Sequence, residues 1–440
     1  MTSRTQLGRL LGALCFAAVM AGMAAGQDEP TAPFPAGPAA IDEALTPADE
    51  QPQEPAPDAA DAAGDAAPED GAATTAEQDA ATPPAGDEAP ADEAAPLDQP
   101  ASEAEAPATP EARLQQAYEL SKTAKTAAEL TRMIELCDSA LAANLEGQFA
   151  RYGKQLISWA HNERGEVLAE QGRGEEALAD FEKSLQYDST RWKALHNRAI
   201  SYALAGLYDQ SLADFDATIK LKPNYANAYF NRGELLYDRG EYQQAVEDYS
   251  RAIRLAPRDS EAYNSRGHAW YKQGNFDRAV ADYNRALQLE PENAAAYVNR
   301  GDTYADRGQY GQAASDYRAA IRINPNLGRA YQSTAWLMAT CPDERFRHRE
   351  HAVTAAKKAL ELDGENYRYL DTLAAAYANA GDYATAAQTV TSAIQQAPPD
   401  TAEVYQTRLG EYEANRPWRE ARGGSRRSTV AQSRRANAGR

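Results

Sequence analysis

The sequence predicts an all-α protein, a solenoid of antiparallel helix pairs, and three observations carry that prediction. A glycine or alanine recurs every 34 residues, at Gly165, Ala199, Gly233, Gly267, Gly301 and Ala335. The first five are each accompanied, further along the unit, by an aromatic residue: Phe181, Phe215, Tyr249, Tyr283 and Tyr317. A proline then closes most units, at Pro223, Pro257, Pro291 and Pro325. A fixed period held over several copies marks stacked helix–turn–helix units that present one continuous surface.

Residues 1–26 read as a signal peptide. Arg4 and Arg9 precede the apolar run from Leu10 to Val19, and small residues gather between Ala21 and Gly26. Charge, short apolar run and small-residue exit stand in the order that export needs. The run falls short of the roughly 20 residues that span a bilayer, which favours cleavage over an uncleaved anchor. The expected location is therefore the periplasm or cell envelope. Residues 27–108 are a second compositional world, rich in Ala, Pro, Asp, Glu and Gly, with Phe34 its only aromatic. It has 21 acidic residues from Asp28 to Glu105 and no Lys or Arg. So little apolar surface cannot offset the entropy of ordering, so the segment is expected to be a disordered, self-repelling tether. It also sets the net charge of −20: without its acids and Glu111, 45 basic residues face 43 acidic ones.

Residues 109–157 carry the N-terminal capping helices, expected over Pro110–Lys122 and Ala127–Ala142 and at the start of a long helix from about Gly147 to Ala169. Seven units then follow within 158–398, at 158–191, 192–225, 226–259, 260–293, 294–327, 328–366 and 367–400. In the type unit 226–259, the first helix holds Tyr229, Gly233 and Leu236, and the second holds Ala245, Tyr249, Ala252 and Ile253. Gly240 between them can take the left-handed geometry that ends a helix. Gly233 lies mid-helix, where glycine costs about 1 kcal/mol against alanine; close approach of the paired helix is the compensation. The tyrosines and phenylalanines are accordingly core wedges.

This combination of small residues, aromatic and closing proline, from Ser158 to about Pro398, resembles the tetratricopeptide repeat family. The resemblance implies a right-handed superhelix with a concave groove lined mainly by first helices. Members are typically binding adaptors, co-chaperones or assembly scaffolds rather than enzymes. After Trp336-Leu337-Met338 the period breaks by five residues, and the enlarged turn resembles a variant recurrent in bacterial members. Insertions in solenoids emerge on one face and often bind, so Asp343, Glu344, Arg345, Phe346 and Arg347 are candidate loop contacts, beside the simpler alternative of an extended structural turn. A C-terminal capping helix over 401–415 and a basic flexible tail over 416–440 complete the chain. The tail suits weak electrostatic contact with an anionic surface.

No residues support catalysis, a cofactor or a metal site. The five histidines, His161, His196, His268, His348 and His351, form no HExxH, and no GxSxG or phosphate-cradling loop occurs. Cys137 and Cys341 lack the partners of a redox or metal motif. Nothing marks specific nucleic acid binding. The inward places on first helices are expected to include Asn162, Glu166, His196, Ile200, Phe230, Glu234, Asn264, His268, Val298, Asp302, Gln332 and Trp336. Tyr237 with Asp238 and Tyr271 with Lys272 lie one turn farther on. Amides, acids and aromatics together suit an extended peptide carrying a few apolar or basic side chains; Asn264 and Lys272 alone do not make the family's carboxylate clamp. A ladder of Arg164, Arg198, Arg232, Arg266 and Arg300 is matched by Asp180, Asp214, Asp248, Asp282 and Asp316. It either binds a polyanion or braces the units, and bracing is the more economical account. The expected function is a non-enzymatic scaffold for a protein or peptide ligand; the alternative is an envelope-associated structural or assembly protein that self-associates.

Overall fold

The computed structural model describes residues 109–143 and 145–421. The expectations for residues 1–26, 27–108 and the tail beyond Ala421 lie outside the described residues. Seventeen α-helices occur among those described. In front stand α1 (Pro110–Ser121) and α2 (Ala127–Leu141). Helix pairs follow: α3 (Gly147–Glu170) with α4 (Gly174–Tyr187), α5 (Trp192–Leu204) with α6 (Tyr208–Leu221), and α7 (Ala226–Asp238) with α8 (Tyr242–Leu255). The chain continues through α9 (Ser260–Lys272) with α10 (Phe276–Leu289) and α11 (Ala294–Asp306) with α12 (Tyr310–Ile323). The last pairs are α13 (Gly328–Thr340) with α14 (Arg349–Asp363) and α15 (Tyr367–Ala380) with α16 (Tyr383–Gln396), and α17 (Pro399–Glu413) closes the array.

The first five pairs are each held by a small residue under an aromatic ring. A Cβ placed on Gly165, Gly233, Gly267 or Gly301 would stand 2.5, 2.8, 2.9 or 2.6 Å from the Cε1 of Phe181, Tyr249, Tyr283 or Tyr317. Those rings are almost wholly buried. Where alanine replaces the glycine, Ala199 shares a cluster with Phe215, whereas in the last two units the aromatic gives way to a smaller residue, Ala335 lying with Ala356 and Ala374 with Val390. Gly240, at φ 80°, makes the left-handed turn, and the following amide reaches back from Glu241 to the Leu236 carbonyl at 2.9 Å.

The arginine ladder braces the units. In every rung the guanidinium Nε and Nη2 donate to both carboxylate oxygens of the partner aspartate, at 2.7 to 2.9 Å. The remaining nitrogen reaches backwards: Arg164 to Thr131, Arg232 to Asp216, Arg266 to Ser250 and Arg300 to Asn284. Each of these arginines therefore ties its own second helix to the second helix of the unit before. Bidentate geometry with a buried acceptor is the strong form of such a pair. In the first rung His161 adds a third bond to Asp180, at 2.8 Å. Burial works to raise the Asp180 carboxyl, and the bonds from Arg164 and His161 overcome it, leaving it below its ordinary value.

Two sequence expectations change. The inserted turn does not protrude as a whole. Glu344 to Phe346 form one 3-10 turn, and Phe346 folds back onto Tyr310 with ring centroids 6.0 Å apart, joining Leu337 and Cys341. Arg347 caps the Cys341 and Pro342 carbonyls, so only Glu344 and Arg345 of the five candidates stand fully outward. Nor is the tail free from residue 416. Trp418 packs against the two buried clusters that hold Trp336 and Tyr412 and near the Arg408 guanidinium, and Arg419 and Glu420 bond back to α13. The physical reason is the insertion itself. A helix end leaves its last four carbonyls without intrahelical partners; α13 ends at Thr340 on the register of Asp306, but Pro342, which has no N–H, stands where the regular units place the glycine whose turn amides serve those carbonyls. Cys341 N–H serves Leu337, His348 N–H serves Met338, Arg419 Nη1 serves Ala339 and Glu420 N–H serves Thr340.

Candidate binding face

Successive first helices touch one another along the array, α3 to α5, α5 to α7, α7 to α9, α9 to α11, α11 to α13 and α13 to α15. This contact line is the inner face. Side chains cross it at every step. Asn197 Nδ2 donates to Asn162 Oδ1 at 3.1 Å and to Glu166 Oε1 at 2.7 Å. Asn231 approaches His196 Nε2 at 3.4 Å, and Asn299 Nδ2 donates to Asn264 Oδ1 at 2.9 Å. The Tyr237 hydroxyl meets the His268 ring at 3.1 Å, the Tyr271 hydroxyl donates to Asp306 at 2.7 Å, and Gln332 Nε2 donates to Thr372 at 2.8 Å.

The residues that sequence places inward divide by burial. Asn162, His196, Phe230 and Trp336 are buried between helices, as are Ile200 and Val298. Glu234 and Asp302 are buried too and accept the hydroxyls of Tyr249 and Tyr317, both at 2.8 Å. Burial pushes His196 down to about 3, so it stays neutral, edge-on to Phe215 and Tyr225. Glu166, Tyr237, Asn264, His268, Tyr271, Lys272 and Gln332 keep partial access to solvent. Glu163, Asn197, Glu261 and Arg329 also stand at this face, beyond the residues that helical register places inward. Asn197 shares a 34-residue register with Glu163, and Arg329 lies two such steps beyond Glu261.

Charge is distributed unevenly along the face. In the first unit Glu163 is pushed up to about 7 by burial and by neighbouring Glu166, against the pull of Lys193. Glu166 is raised by burial as well. Between α7 and α9, Glu261 is pushed up to about 7 by burial, then by Glu234, Asp259 and Glu290. Farther along, acids are paired with cations: Arg329 bonds Asp302 at 3.1 Å, and the buried Arg408 pairs with Asp371.

This arrangement fixes a pH dependence. A carboxyl held at about 7 folded and near its ordinary 4.5 unfolded keeps an extra proton in the folded chain between those values. Stability therefore falls as pH rises through that window. Glu261→Gln, which is neutral throughout, is expected to be more stable than the parent at pH 8. The gain is bounded at about 3 kcal/mol, the equivalent of that shift. At pH 4 the two should melt together; a constant difference at both pH values would count against the assignment.

Among the described residues no group of three or more His, Cys, Asp or Glu could hold a metal ion, and no helix is long and apolar enough to cross a membrane. Cys137 and Cys341 are free and buried, and burial first, then Asp138, pushes the Cys137 thiol up to about 12. The family model described as TPR repeat matches residues 233–274, and models described as tetratricopeptide repeat match 264–327 and 158–179. No curated protein matches the chain. Among solved structures it is similar to YrrB, described as a TPR protein with an unusual peptide-binding site, at 22% identity over 45% of this chain and 96% of that one, TM-score 0.38. It is similar to yeast Tom70 at 19% identity, over 72% of this chain and 65% of that one, TM-score 0.40. Pseudomonas aeruginosa pilF is similar at 17% identity, over 49% of this chain and 96% of that one, TM-score 0.43.

Proposed function

We propose that this chain, whose tetratricopeptide repeats are matched over 158–179 and 233–327, is a non-enzymatic binding scaffold that takes an extended polypeptide with basic side chains along its inner face between α3 and α9. One observation carries the proposal: Glu163, Glu166 and Glu261 stand with partial solvent access on the first helices, all held above the ordinary carboxylate range, by burial above all. Carboxylates that are costly to ionise alone become favourable once a cation is supplied. A lysine or arginine side chain at this face would supply it, and the backbone of an extended segment could meet the amides and hydroxyls between.

The test uses a labelled peptide of alternating lysine and alanine. Since the bound cation favours the ionised carboxylates, affinity is expected to strengthen as pH rises from 5 to 8, with proton release on binding. Glu163→Gln with Glu261→Gln should weaken binding at least tenfold and flatten the pH profile. Equal binding by the double variant, or preference for an alternating glutamate and alanine peptide, would overturn the proposal.

A further inference from the structure

The C-terminal end of the same inner face is already occupied. Thr340 on α13 and Asn379 on α15 fall on the register of Asp238, Lys272 and Asp306, five places after the small residues Ala335, Ala374, Gly233, Gly267 and Gly301. Residues 418–420 run across them. Arg419 Nη1 donates to the Ala339 carbonyl at 2.8 Å and Nη2 to Asn379 Oδ1 at 3.0 Å. Glu420 N–H donates to the Thr340 carbonyl at 3.0 Å. Trp418 lies 5.2 Å from the Arg408 guanidinium, which also faces the Trp336 ring at 4.7 Å. Glu420 and Ala421 then border a small recess with Asp306, Tyr310 and Pro342.

This is how a short linear ligand is held. One backbone N–H is read by a main-chain acceptor, a cation sits at the negative end of a helix, and an aromatic anchor fills an apolar seat. The acceptors belong to the helix and persist whichever chain supplies the donors. We infer that this end of the face is a recognition subsite for an aromatic–arginine pair in an extended peptide, and that Trp418-Arg419-Glu420 fills it in cis. The segment thereby covers the end of the face and competes with any partner bearing the same pair. Burial first, then neighbouring Arg347 and Arg349, pull the Arg419 pKa down, a cost that any arginine in this seat bears alike. The inference rests on the binding reading above only in treating the inner face as a place for extended chain; its ligand and residues are separate.

The experiment opens the seat in the full chain and offers the segment back. Trp418→Ala with Arg419→Ala is titrated with the heptapeptide Asn-Arg-Pro-Trp-Arg-Glu-Ala, the sequence of residues 415–421. Saturable one-to-one binding is expected, at least tenfold tighter than to the unsubstituted chain. Replacing the peptide's second arginine by alanine should weaken it at least tenfold. If the double variant loses its helical signal, Arg419→Ala alone, which keeps Trp418, gives the same comparison. No binding to either variant, or equal binding to variant and parent, overturns the inference. So does loss of binding through Glu163→Gln with Glu261→Gln, because the peptide would then be sitting on the acidic stretch, and the proposed function would stand without this subsite.

Discussion

Gly267→Leu is expected to destabilise the chain by about 3 kcal/mol, at the upper end of ordinary overpacking. The Cβ alone would stand 2.9 Å from Tyr283 Cε1, 3.0 Å from its Cδ1 and 3.2 Å from the Ala279 carbonyl oxygen. Tyr283 is fully buried and cannot swing away, and the third neighbour is backbone. Relief must come from separating α9 from α10, and the Arg266–Asp282 rung spans that same gap. Urea unfolding followed by circular dichroism measures the loss. Gly174→Ala supplies the control, because nothing lies within 4 Å of a Cβ there; it should fall within about 0.5 kcal/mol of the parent. Equal stability of Gly267→Leu and Gly174→Ala would show that the ring does not depend on the missing side chain.

That contact was legible in the sequence because both partners lie within one unit and repeat with it. Five copies of a glycine or alanine with an aromatic 16 residues on leave little doubt about which surfaces meet. The arginine ladder was legible only as a pair of alternatives. Spacing places Arg232 and Asp248 on facing helices, but only coordinates show both carboxylate oxygens engaged and Asp216 of the preceding unit joined to the rung. The inner face was legible less well. Helical register placed Asn162, His196 and Phe230 inward, yet the next first helix presses close enough to bury them. Partial solvent access remains at Glu166, Asn264 and His268 and extends to neighbouring rows, where Glu163 and Glu261 stand. The seating of Trp418 and Arg419 was not legible. Their surroundings in sequence are Arg, Gly, Ser and Ala, a composition that promises no structure. What orders them is a set of carbonyls exposed some 80 residues earlier by an inserted turn, and local patterning holds no record of so distant a vacancy.

The last unit closes on a charge pair whose breakage should be the costliest change in the molecule. Arg408 and Asp371 are 8% and 4% exposed, and they bond directly beneath Trp336, Tyr405 and Trp418. Two charges withdrawn from water hold each other in place, and removing one strands the other. Asp371→Ala is therefore expected to cost about 3–5 kcal/mol, with lost helicity beginning at α15 to α17 and with Trp418 fluorescence shifted to the red. A stacked array transmits stability through neighbouring interfaces, so the loss should spread inward from this end rather than unfold all units together. The pair as a whole is another matter. Replacing both partners by apolar residues of similar size, Asp371→Leu with Arg408→Met, removes the desolvation cost along with the attraction. It should bring stability back to within about 1 kcal/mol of the parent, or above it. Hydrogen exchange on α15 and α17 in the single and double variants decides the matter. If the single variant retains full protection there, the buried carboxylate is not what holds Arg408 in the core.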